Sequence, residues 1–217
     1  MLRRFALVLG ALFLGLLIYD SFAPPVSTLM LGRWLLGESV ERIAVPLERI
    51  SPHLVQAVIA SEDGRFCLHS GVDWRALRAA AGQAEDGFSG GASTIDMQTV
   101  KNLFLFPGRY LVRKALEIPM TLALNLVWSK SKILQAYFNI AEWGDGIFGA
   151  EAAARRYFDK SADALTPREA ALLAAALPNP RKRDPRRPRA SQTRQAAKIL
   201  ARMIHGAATS CVRRQER

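Results

Sequence analysis

An unusual helix end is predicted within ASEDGRFCLHSGVDW, Ala60–Trp74. An apolar helix predicted to begin after Ser51 runs directly into two adjacent acids, Glu62 and Asp63. An aromatic residue, a histidine, a glycine and a further acid follow shortly after them. Negative charge at a helix C-terminus is disfavoured by the helix macrodipole. We therefore interpret the two acids as functional residues rather than as residues that stabilise their own helix.

Helical periodicity and helix-end signals extend outward from this stretch over most of the chain. Ser51 followed by Pro52 is typical of a helix start, and Thr166-Pro-Arg-Glu169 is a capping box. Further helices are predicted over 74–83, from Ser93 to about Leu103, over 110–128 with a kink at Pro119, and over 130–141, 150–158 and 192–205. We find no convincing strand alternation and expect an all-α domain of about seven to nine helices.

The first 25 residues have the composition of a membrane segment. After Arg3 and Arg4 comes an uncharged apolar run of 15 residues, Phe5–Tyr19. A spanning helix needs roughly 20 apolar residues, with about 17 as the lower limit, so the core of a signal peptide is an alternative. Cleavage after Ala23 would have to occur before Pro24, a poor scissile position, so we favour an uncut anchor. The two arginines predict a cytoplasmic N-terminus, with the rest of the chain across the membrane.

Nearly all of the excess positive charge lies in the C-terminal segment. The net charge is +11, and residues 181–217 contribute +10 of it through twelve Lys/Arg and two acids. Such a block could bind nucleic acid, lie on anionic lipid headgroups, or remain solvated and disordered. Because an exported, anchored domain rarely meets nucleic acid, we expect no nucleic-acid partner. The lipid surface and the solvated tail both stay open.

The two cysteines, Cys67 and Cys211, lie far apart in the sequence. An oxidising compartment would permit a bridge between them, but two cysteines alone do not make a disulfide framework. We therefore expect both to be free thiols.

Two acids and a group of cations are the residues best suited to chemistry. Arg113 and Lys114 lie four and three residues before Glu117, so the three charges share one face of a helix. Lys101 lies on a helix that begins after a glycine-rich loop, and such a helix start favours an anion. One acid, such as Glu62, can take a hydroxyl proton while the cations stabilise a phosphate leaving group, which suits sugar chemistry at an activated anomeric carbon. Each feature also has an ordinary alternative, such as an exposed ion pair on a helix surface.

Taken together and in order, five motifs between about residues 47 and 188 resemble the monofunctional peptidoglycan glycosyltransferases, which polymerise a lipid-linked disaccharide-pentapeptide. The motifs are EDGRFCLHSGVD at 62–73, GGASTIDMQTVKN at 90–102, RKALE at 113–117, KILQAYFN at 132–139 with Gly144 and Gly149 after it, and LTPREAAL at 165–172 with PNP at 178–180.

The resemblance implies a fold and a set of site residues. It implies a helical, lysozyme-like catalytic lobe and a smaller lobe, built from the neighbourhood of Ala84–Glu117, that dips into the bilayer. Glu62 is then the catalytic base, and Glu117 is the second catalytic acid, which orients cations or a divalent ion around the diphosphate. The substrate-binding residues implied by the motifs are Asp63, Phe66, His69, Ser93, Thr94, Gln98, Lys101, Asn102, Arg109, Arg113 and Lys114.

The same resemblance sets the expected organisation and partners of the chain. We predict a cytoplasmic stub and anchor over 1–25, a connector over 26–46, the glycosyltransferase domain over 47–188 and a basic helix and tail over 189–217. The expected partners are lipid II, the growing lipid-linked glycan, inner-membrane lipids and other cell-wall synthesis and division proteins. The expected location is the inner membrane, with the catalytic domain in the periplasm. No cofactor is obligatory in this interpretation, and Mg²⁺ or Mn²⁺ near Glu117 is an optional addition.

One departure and two alternatives accompany the resemblance. Asp96 and Met97 stand where the family has Thr or Ser followed by Gln, and we expect Asp96 to add a charge near the proposed diphosphate site. A lytic enzyme that cuts glycan strands is one alternative, but cutting a neutral glycosidic bond needs no cluster of cations. A catalytically inert, membrane-tethered scaffold is the other, and such a protein would be free to lose Glu62 or Glu117.

Overall fold

Nine α-helices make up most of the residues that the computed structural model describes, which are residue 10 and residues 26–82, 93–105, 110–204 and 209–212. The helices are α1 Thr28–Leu35, α2 Pro52–Glu62, α3 Trp74–Gly82, α4 Ile95–Phe104, α5 Tyr110–Val127, α6 Lys130–Ile140, α7 Ala150–Phe158, α8 Pro167–Ala176 and α9 Ala190–Ile204. Short 3₁₀ turns lie at Leu47–Arg49, Phe66–Leu68 and Ala162–Ala164. The mostly helical class expected from the sequence is confirmed.

A small sheet accompanies the helices. Strands β1 Glu41–Arg42, β2 Glu142–Gly144 and β3 Ile147–Phe148 pair in the order β1-β3-β2, parallel between β1 and β3 and antiparallel between β2 and β3. The expectation of a purely helical domain is therefore wrong in this detail. Strands of two or three residues are too short to show the alternation of apolar and polar side chains by which a strand is recognised.

The main core lies where α2, α8 and α9 pack together. In α8 every residue from Ala170 to Ala176 is buried, and five of these seven residues are alanine. Small side chains let neighbouring helices approach closely, so α2 and α9 both pack against α8. This packing holds the C-terminal end of α2, where Glu62 lies, against the centre of the domain.

A second apolar cluster fixes the other side of the site. Val100 of α4, Leu124 of α5 and Ile133 of α6 are fully buried, and Trp128 and Ala136 pack with them. Because α4 contacts both α5 and α6 in this cluster, the polar face of α4 is set between the end of α2 and the charged part of α5.

The helix-end signals are confirmed at two positions and corrected at a third. Ser51 accepts a hydrogen bond from the His53 amide, and Thr166 and Glu169 form both bonds of the capping box. Helix α4, however, is capped by Thr94, whose hydroxyl accepts from the Met97 amide at 3.1 Å, and not by Ser93. Both residues are competent caps, and the Ser93 hydroxyl instead accepts a bond from Lys114.

The two cysteines form a disulfide, so the expectation of free thiols is wrong. Cys67, in the 3₁₀ turn after Glu62, is bonded to Cys211, which follows α9. The two residues are 144 positions apart in sequence, but their Cα atoms are 5.4 Å apart. The Arg202 guanidinium of α9 also donates to the Ala60 carbonyl near the end of α2, at 3.3 Å. The C-terminal segment is thus attached to the segment that carries Glu62.

Several of the predicted features lie outside the described residues. These are the anchor over 1–25 apart from Gly10, the glycine-rich loop at 84–92 and Arg109. Among the residues that are described, no helix has the length and apolar character needed to cross a membrane.

Candidate active site

The position of Asp63 explains why α2 ends in acidic residues. Asp63 is the C-cap of α2, and its buried carboxylate accepts a hydrogen bond from the Ile95 amide at the start of α4, at 3.0 Å. The His69 Nε2 atom lies 3.0 Å from the same carboxylate. The acid that is unfavourable at the end of its own helix is therefore favourable at the N-terminus of another. Asp63 thus joins the end of α2 to the start of α4 and holds the neighbouring Glu62 in position.

Glu62 lies beside Asp63 and is only partly buried. Its Oε2 atom accepts a hydrogen bond from Gln98 Nε2 at 3.0 Å, and its Oε1 atom accepts one from the Ser61 hydroxyl at 3.3 Å. Burial raises the pKa of Glu62, although these hydrogen bonds and the charge of Lys101 oppose the rise. A carboxylate of raised pKa is a better proton acceptor near neutral pH than an ordinary glutamate.

The Gln98 amide is itself held by a second residue. The Tyr137 hydroxyl donates to Gln98 Oε1 at 3.3 Å, which leaves the Gln98 NH₂ group to donate to Glu62. Tyr137 is buried in the main core, so this orientation is set by the packing of α6. Tyr137 lies in the fourth motif but was not among the predicted site residues. Only its tertiary contact with Gln98, 39 positions away, shows its role.

Glu117 forms the second acidic centre, on α5. It is 3% exposed, and its two carboxylate oxygens accept hydrogen bonds from Arg113 Nε at 3.1 Å and Lys114 Nζ at 3.0 Å. Lys114 also donates to the Ser93 hydroxyl at 2.8 Å. The ordinary alternative of an exposed ion pair on a helix surface is therefore wrong, since the acid at the centre is buried.

A pocket lies beside Glu117 and extends to Gln98, the hydrogen-bond partner of Glu62. It is lined by Ser93, Gln98, Lys101, Arg113, Lys114 and Glu117. Burial lowers the pKa of Lys101; the charge of Glu117 opposes this, and the charges of Arg113 and Lys114 add to it. Three cationic side chains thus face one small volume, with the carboxylate of Glu62 hydrogen-bonded to the Gln98 side chain at its edge. Such a pocket is suited to a group that carries more than one negative charge.

Asp96 does not occupy the place expected for it. It is fully buried, accepts hydrogen bonds from Lys130 Nζ at 2.8 and 3.0 Å and from Asn125 Nδ2 at 2.9 Å, and does not line the pocket. The expectation that Asp96 adds a charge near the anion site is therefore wrong. The negative charge of Asp96 is paired with Lys130, on the side of α4 opposite to Gln98 and Lys101. The neighbouring Met97 is fully buried.

The remaining predicted residues support the site rather than line it. Phe66 is fully buried, and the Lys130 ammonium lies 4.4 Å from the centre of its ring. The Thr94 hydroxyl donates to the Gly71 carbonyl and caps α4. The backbone carbonyl of Asn102 accepts from Thr28 of α1. The sequence motifs therefore contain two kinds of residue, those that face the pocket and those that hold its walls in place.

Gly71 is required by a close approach between the first motif and α5. Its φ is +96°, and a Cβ atom there would lie 2.7 Å from Asn125 Nδ2 and 2.9 Å from Thr121 Cγ2. A side chain at this position would be strained in conformation and would also push α5 away. The glycine of the first motif is thus needed for that motif to pack closely against α5.

The residues described around Glu117 fit a divalent ion poorly. Both carboxylate oxygens of Glu117 already accept hydrogen bonds from cationic side chains, so an ion would have to displace Arg113 or Lys114. The ligand atoms of Asp63, His69 and Asp96 also lie within 4.8 Å of one another. However, Asp96 is paired with Lys130, and Asp63 is bonded to His69 and the Ile95 amide. The ion near Glu117 stays a prediction.

Comparison with known proteins places this architecture in a family. A family model described as Transglycosylase matches residues 29–204. A biosynthetic peptidoglycan transglycosylase of Rhodospirillum centenum is 52% identical over 209 residues, which cover 94% of this chain and 90% of the relative. Proteins of the same name from Rhodopseudomonas palustris and Brucella suis are 49% and 50% identical, over 95% and 91% of this chain and 92% and 90% of the relatives.

The chain belongs to the transglycosylase family. The resemblance inferred from the five motifs is confirmed, because the matched range contains all of them. The matched range also contains α1 except for its first residue, β1, which likewise precedes the first motif, and α9, which follows the last. Helix α1 contacts α4, which carries Gln98 and Lys101 of the pocket, and α9 contacts α2, which carries Glu62.

Proposed function

We propose that this chain is a peptidoglycan glycosyltransferase that polymerises lipid II into β-1,4-linked glycan strands with release of undecaprenyl diphosphate. The observation that supports the proposal is that Gln98 lines a pocket together with three cations and also donates a hydrogen bond to Glu62, a glutamate of raised pKa. The names of the relatives, which describe biosynthetic peptidoglycan transglycosylases, support the same reaction.

The reaction needs a base for the attacking hydroxyl. The 4-hydroxyl of an incoming GlcNAc is a weak nucleophile at neutral pH, so a carboxylate must take its proton as the bond to C1 of MurNAc forms. Glu62 is suited to this role because burial raises its pKa. In the part of the chain that the structure describes, its hydrogen-bond donors are the neutral groups of Gln98 and Ser61. Attack on the face of C1 opposite the leaving diphosphate inverts the configuration at C1.

The reaction also needs charge stabilisation at the leaving group. As the bond between C1 and the diphosphate breaks, negative charge grows on the phosphate oxygens. Lys101, Arg113 and Lys114 line one pocket and are suited to receive that charge. Glu117 accepts from the last two, so it positions cationic groups rather than moving a proton. Arg109 is the fourth cation that the sequence assigns to this task.

The same cations distinguish a transferase from a lytic enzyme of similar fold. Cutting a neutral glycosidic bond needs a protonated acid at the leaving oxygen and does not develop a diphosphate. A cluster of three cations would then serve no purpose at the bond being broken. We therefore favour transfer from a lipid diphosphate over hydrolysis, and catalysis over an inert scaffold.

The finer architectural features belong to this proposal. We propose a lysozyme-like lobe, a smaller lobe near Ala84–Glu117 that dips into the bilayer, and an uncut N-terminal anchor with the catalytic domain in the periplasm. The apolar run Phe5–Tyr19 after two arginines supports the anchor. An N-terminal sequence beginning at Pro24 on the isolated protein would disprove it.

The decisive experiment is polymerisation by the purified full chain. Incubation with fluorescent lipid II should yield glycan polymer on a gel, and incubation with preformed glycan strands should release no fragments. Glu62→Gln removes the base but keeps the shape of the side chain, so it should abolish polymer formation while lipid II binding remains. Glu117→Gln should weaken both binding of the donor and turnover, because Arg113 and Lys114 lose their anionic partner.

Glu48→Gln is a matched control, since Glu48 is an exposed glutamate on the 3₁₀ turn at Leu47–Arg49. It should polymerise at the wild-type rate. Near wild-type polymerisation by Glu62→Gln, together with an inactive Glu117→Gln that still binds, would reverse the two roles. Release of fragments from glycan strands by the wild type would replace transfer with hydrolysis.

A further inference from the structure

Helix α1 turns a row of large apolar side chains away from the protein. Leu31, Trp34 and Leu35 lie at spacings of three and four residues and so share one side of the helix, and Leu36 follows at its C-cap. We call these four residues the outer face of α1. They are 43%, 50%, 86% and 76% exposed, respectively. Arg33 is the one charged residue between Thr28 and Leu36, and it is buried on the opposite side.

The inner side of α1 is held firmly, so the orientation of the outer face is fixed. Met30 is fully buried, and the Arg33 guanidinium bonds to Glu142 at 2.9 Å, to Glu38 at 3.0 Å and to Asp145. A helix with this much buried polar contact cannot rotate to hide its leucines without breaking several ion pairs. The exposure of the outer face is therefore a property of the fold.

The attachment of α1 also links the outer face to the pocket. The Thr28 hydroxyl lies 3.1 Å from the carbonyl oxygen of Asn102 and 2.8 Å from that of Leu105, and it donates to them at the C-terminal end of α4. Helix α4 carries Gln98 and Lys101 of the pocket. The outer face and the pocket are therefore held at a fixed distance, so a surface that contacts the outer face also lies at a fixed distance from the pocket.

We propose that the outer face of α1 lies in the interfacial layer of the lipid bilayer and sets the height of the pocket above it; this rests on the proposed function and its N-terminal anchor. Eight residues separate the apolar run Phe5–Tyr19 from Thr28. Eight or nine residues span at most about 30 Å even when fully extended, so α1 cannot be far from the membrane. Tryptophan favours the boundary between headgroups and acyl chains, where its ring is apolar and its N–H group stays hydrated.

Lipid fits this face better than a protein partner does. The face consists of three leucines and one tryptophan, so it offers no charged group with which a protein partner could pair. A substrate whose diphosphate is attached to a membrane lipid brings that group to the headgroup layer. A helix that rests in the same layer and is bonded to the helix of Lys101 places the cations where the diphosphate is.

The test measures the depth of Trp34 and does not depend on catalysis. The full chain is reconstituted in phosphatidylethanolamine–phosphatidylglycerol vesicles that contain phospholipid brominated near the headgroup end of its acyl chains, which quenches tryptophan fluorescence at short range. Wild type should be quenched, and Trp34→Phe should lose most of that quenching. Trp74→Phe is the matched control, because Trp74 is 46% exposed at the start of α3, and it should keep the quenching.

Sedimentation and quenching together distinguish a wrong position of α1 from the lack of a membrane anchor. Protein that sediments with the vesicles while Trp34→Phe is quenched as strongly as wild type overturns the interfacial position of α1 alone. Protein that does not sediment with them overturns the anchor and this proposal together. Unquenched Trp34 combined with disulfide-linked dimers of Leu35→Cys assigns the face to a second copy and also overturns the proposal.

A second measurement separates positioning from folding. Leu31→Ser/Leu35→Ser should polymerise lipid II at the wild-type rate in detergent micelles but more slowly when lipid II is embedded in vesicles. Ile204→Ser changes a residue that is 81% exposed at the end of α9, and it should show no such difference. Equal rates of the double variant and wild type in vesicles would contradict the proposed role.

Discussion

Removal of the Cys67–Cys211 disulfide should lower the stability of the chain considerably. The bridge joins residues 144 positions apart. In the chain-entropy description, cross-linking a loop of that length lowers the entropy of the unfolded state and so raises its free energy by about 5 kcal/mol at 25 °C. Measured effects are usually smaller, on the order of 2–4 kcal/mol. Since a domain of this size is stable by only about 5–15 kcal/mol in total, the bridge accounts for a large part of it.

The perturbation is Cys67→Ala/Cys211→Ala in the full chain, with thermal unfolding in mild detergent as the assay. A loss of about 2–4 kcal/mol corresponds to a fall in Tm of roughly 4–16 °C, at about 2–4 °C per kcal/mol. A reductant should lower the Tm of the wild type by a similar amount. It should leave the double variant unchanged, because that variant contains no thiol.

The loss of stability should also affect the active site, because Cys67 directly follows Phe66 and lies five residues after Glu62. Below the lowered Tm the double variant should still polymerise lipid II, with activity lost at a lower temperature than in wild type. Two thiols that react with a thiol reagent in the unreduced, denatured wild type would refute the bridge. An unchanged Tm in the double variant would refute the reasoning about its contribution.

Three further predictions concern the site. Lys101→Ala should reduce polymerisation by about 10²–10³, because it removes one preorganised cation from the diphosphate, while the Tm measured by circular dichroism stays close to that of wild type. Burial raises the pKa of Glu62, so the folded state favours its protonated form. Glu62→Gln removes the ionised carboxylate and should therefore raise Tm at pH 7. The gain in Tm should shrink to nothing as pH falls below about 4, where the wild-type carboxyl is protonated in both states. As pH is lowered, the polymerisation rate of the wild type should correspondingly begin to fall at a pH above the ordinary pKa of glutamate.

The parts of the fold that could be predicted from the sequence depend on neighbouring residues. The helix start at Ser51-Pro52 and the capping box at Thr166–Glu169 are local hydrogen-bond patterns, and both are present. Helix Ala150–Phe158 was predicted with its observed bounds, because glycine precedes it and apolar periodicity runs through it. The order of the five motifs was also sufficient to identify the family. Charges three and four residues apart on one helix identified the cluster of Glu117, since helical geometry alone brings them together.

Only the tertiary structure decided which long-range partner each polar residue found. The sequence placed Asp96 near the anion site, but packing of α4 against α5 and α6 turns it to Lys130, 34 residues away. Sequence separation likewise hid the bridge between the two cysteines and the hydrogen bond from Tyr137 to Gln98. The strands were missed because two or three residues are too few to show an alternating pattern. The acids at the end of α2 show both kinds of information. Their position in the chain marked them as functional, yet the reason that Asp63 is stable there is the amide at the start of another helix, which no local pattern contains.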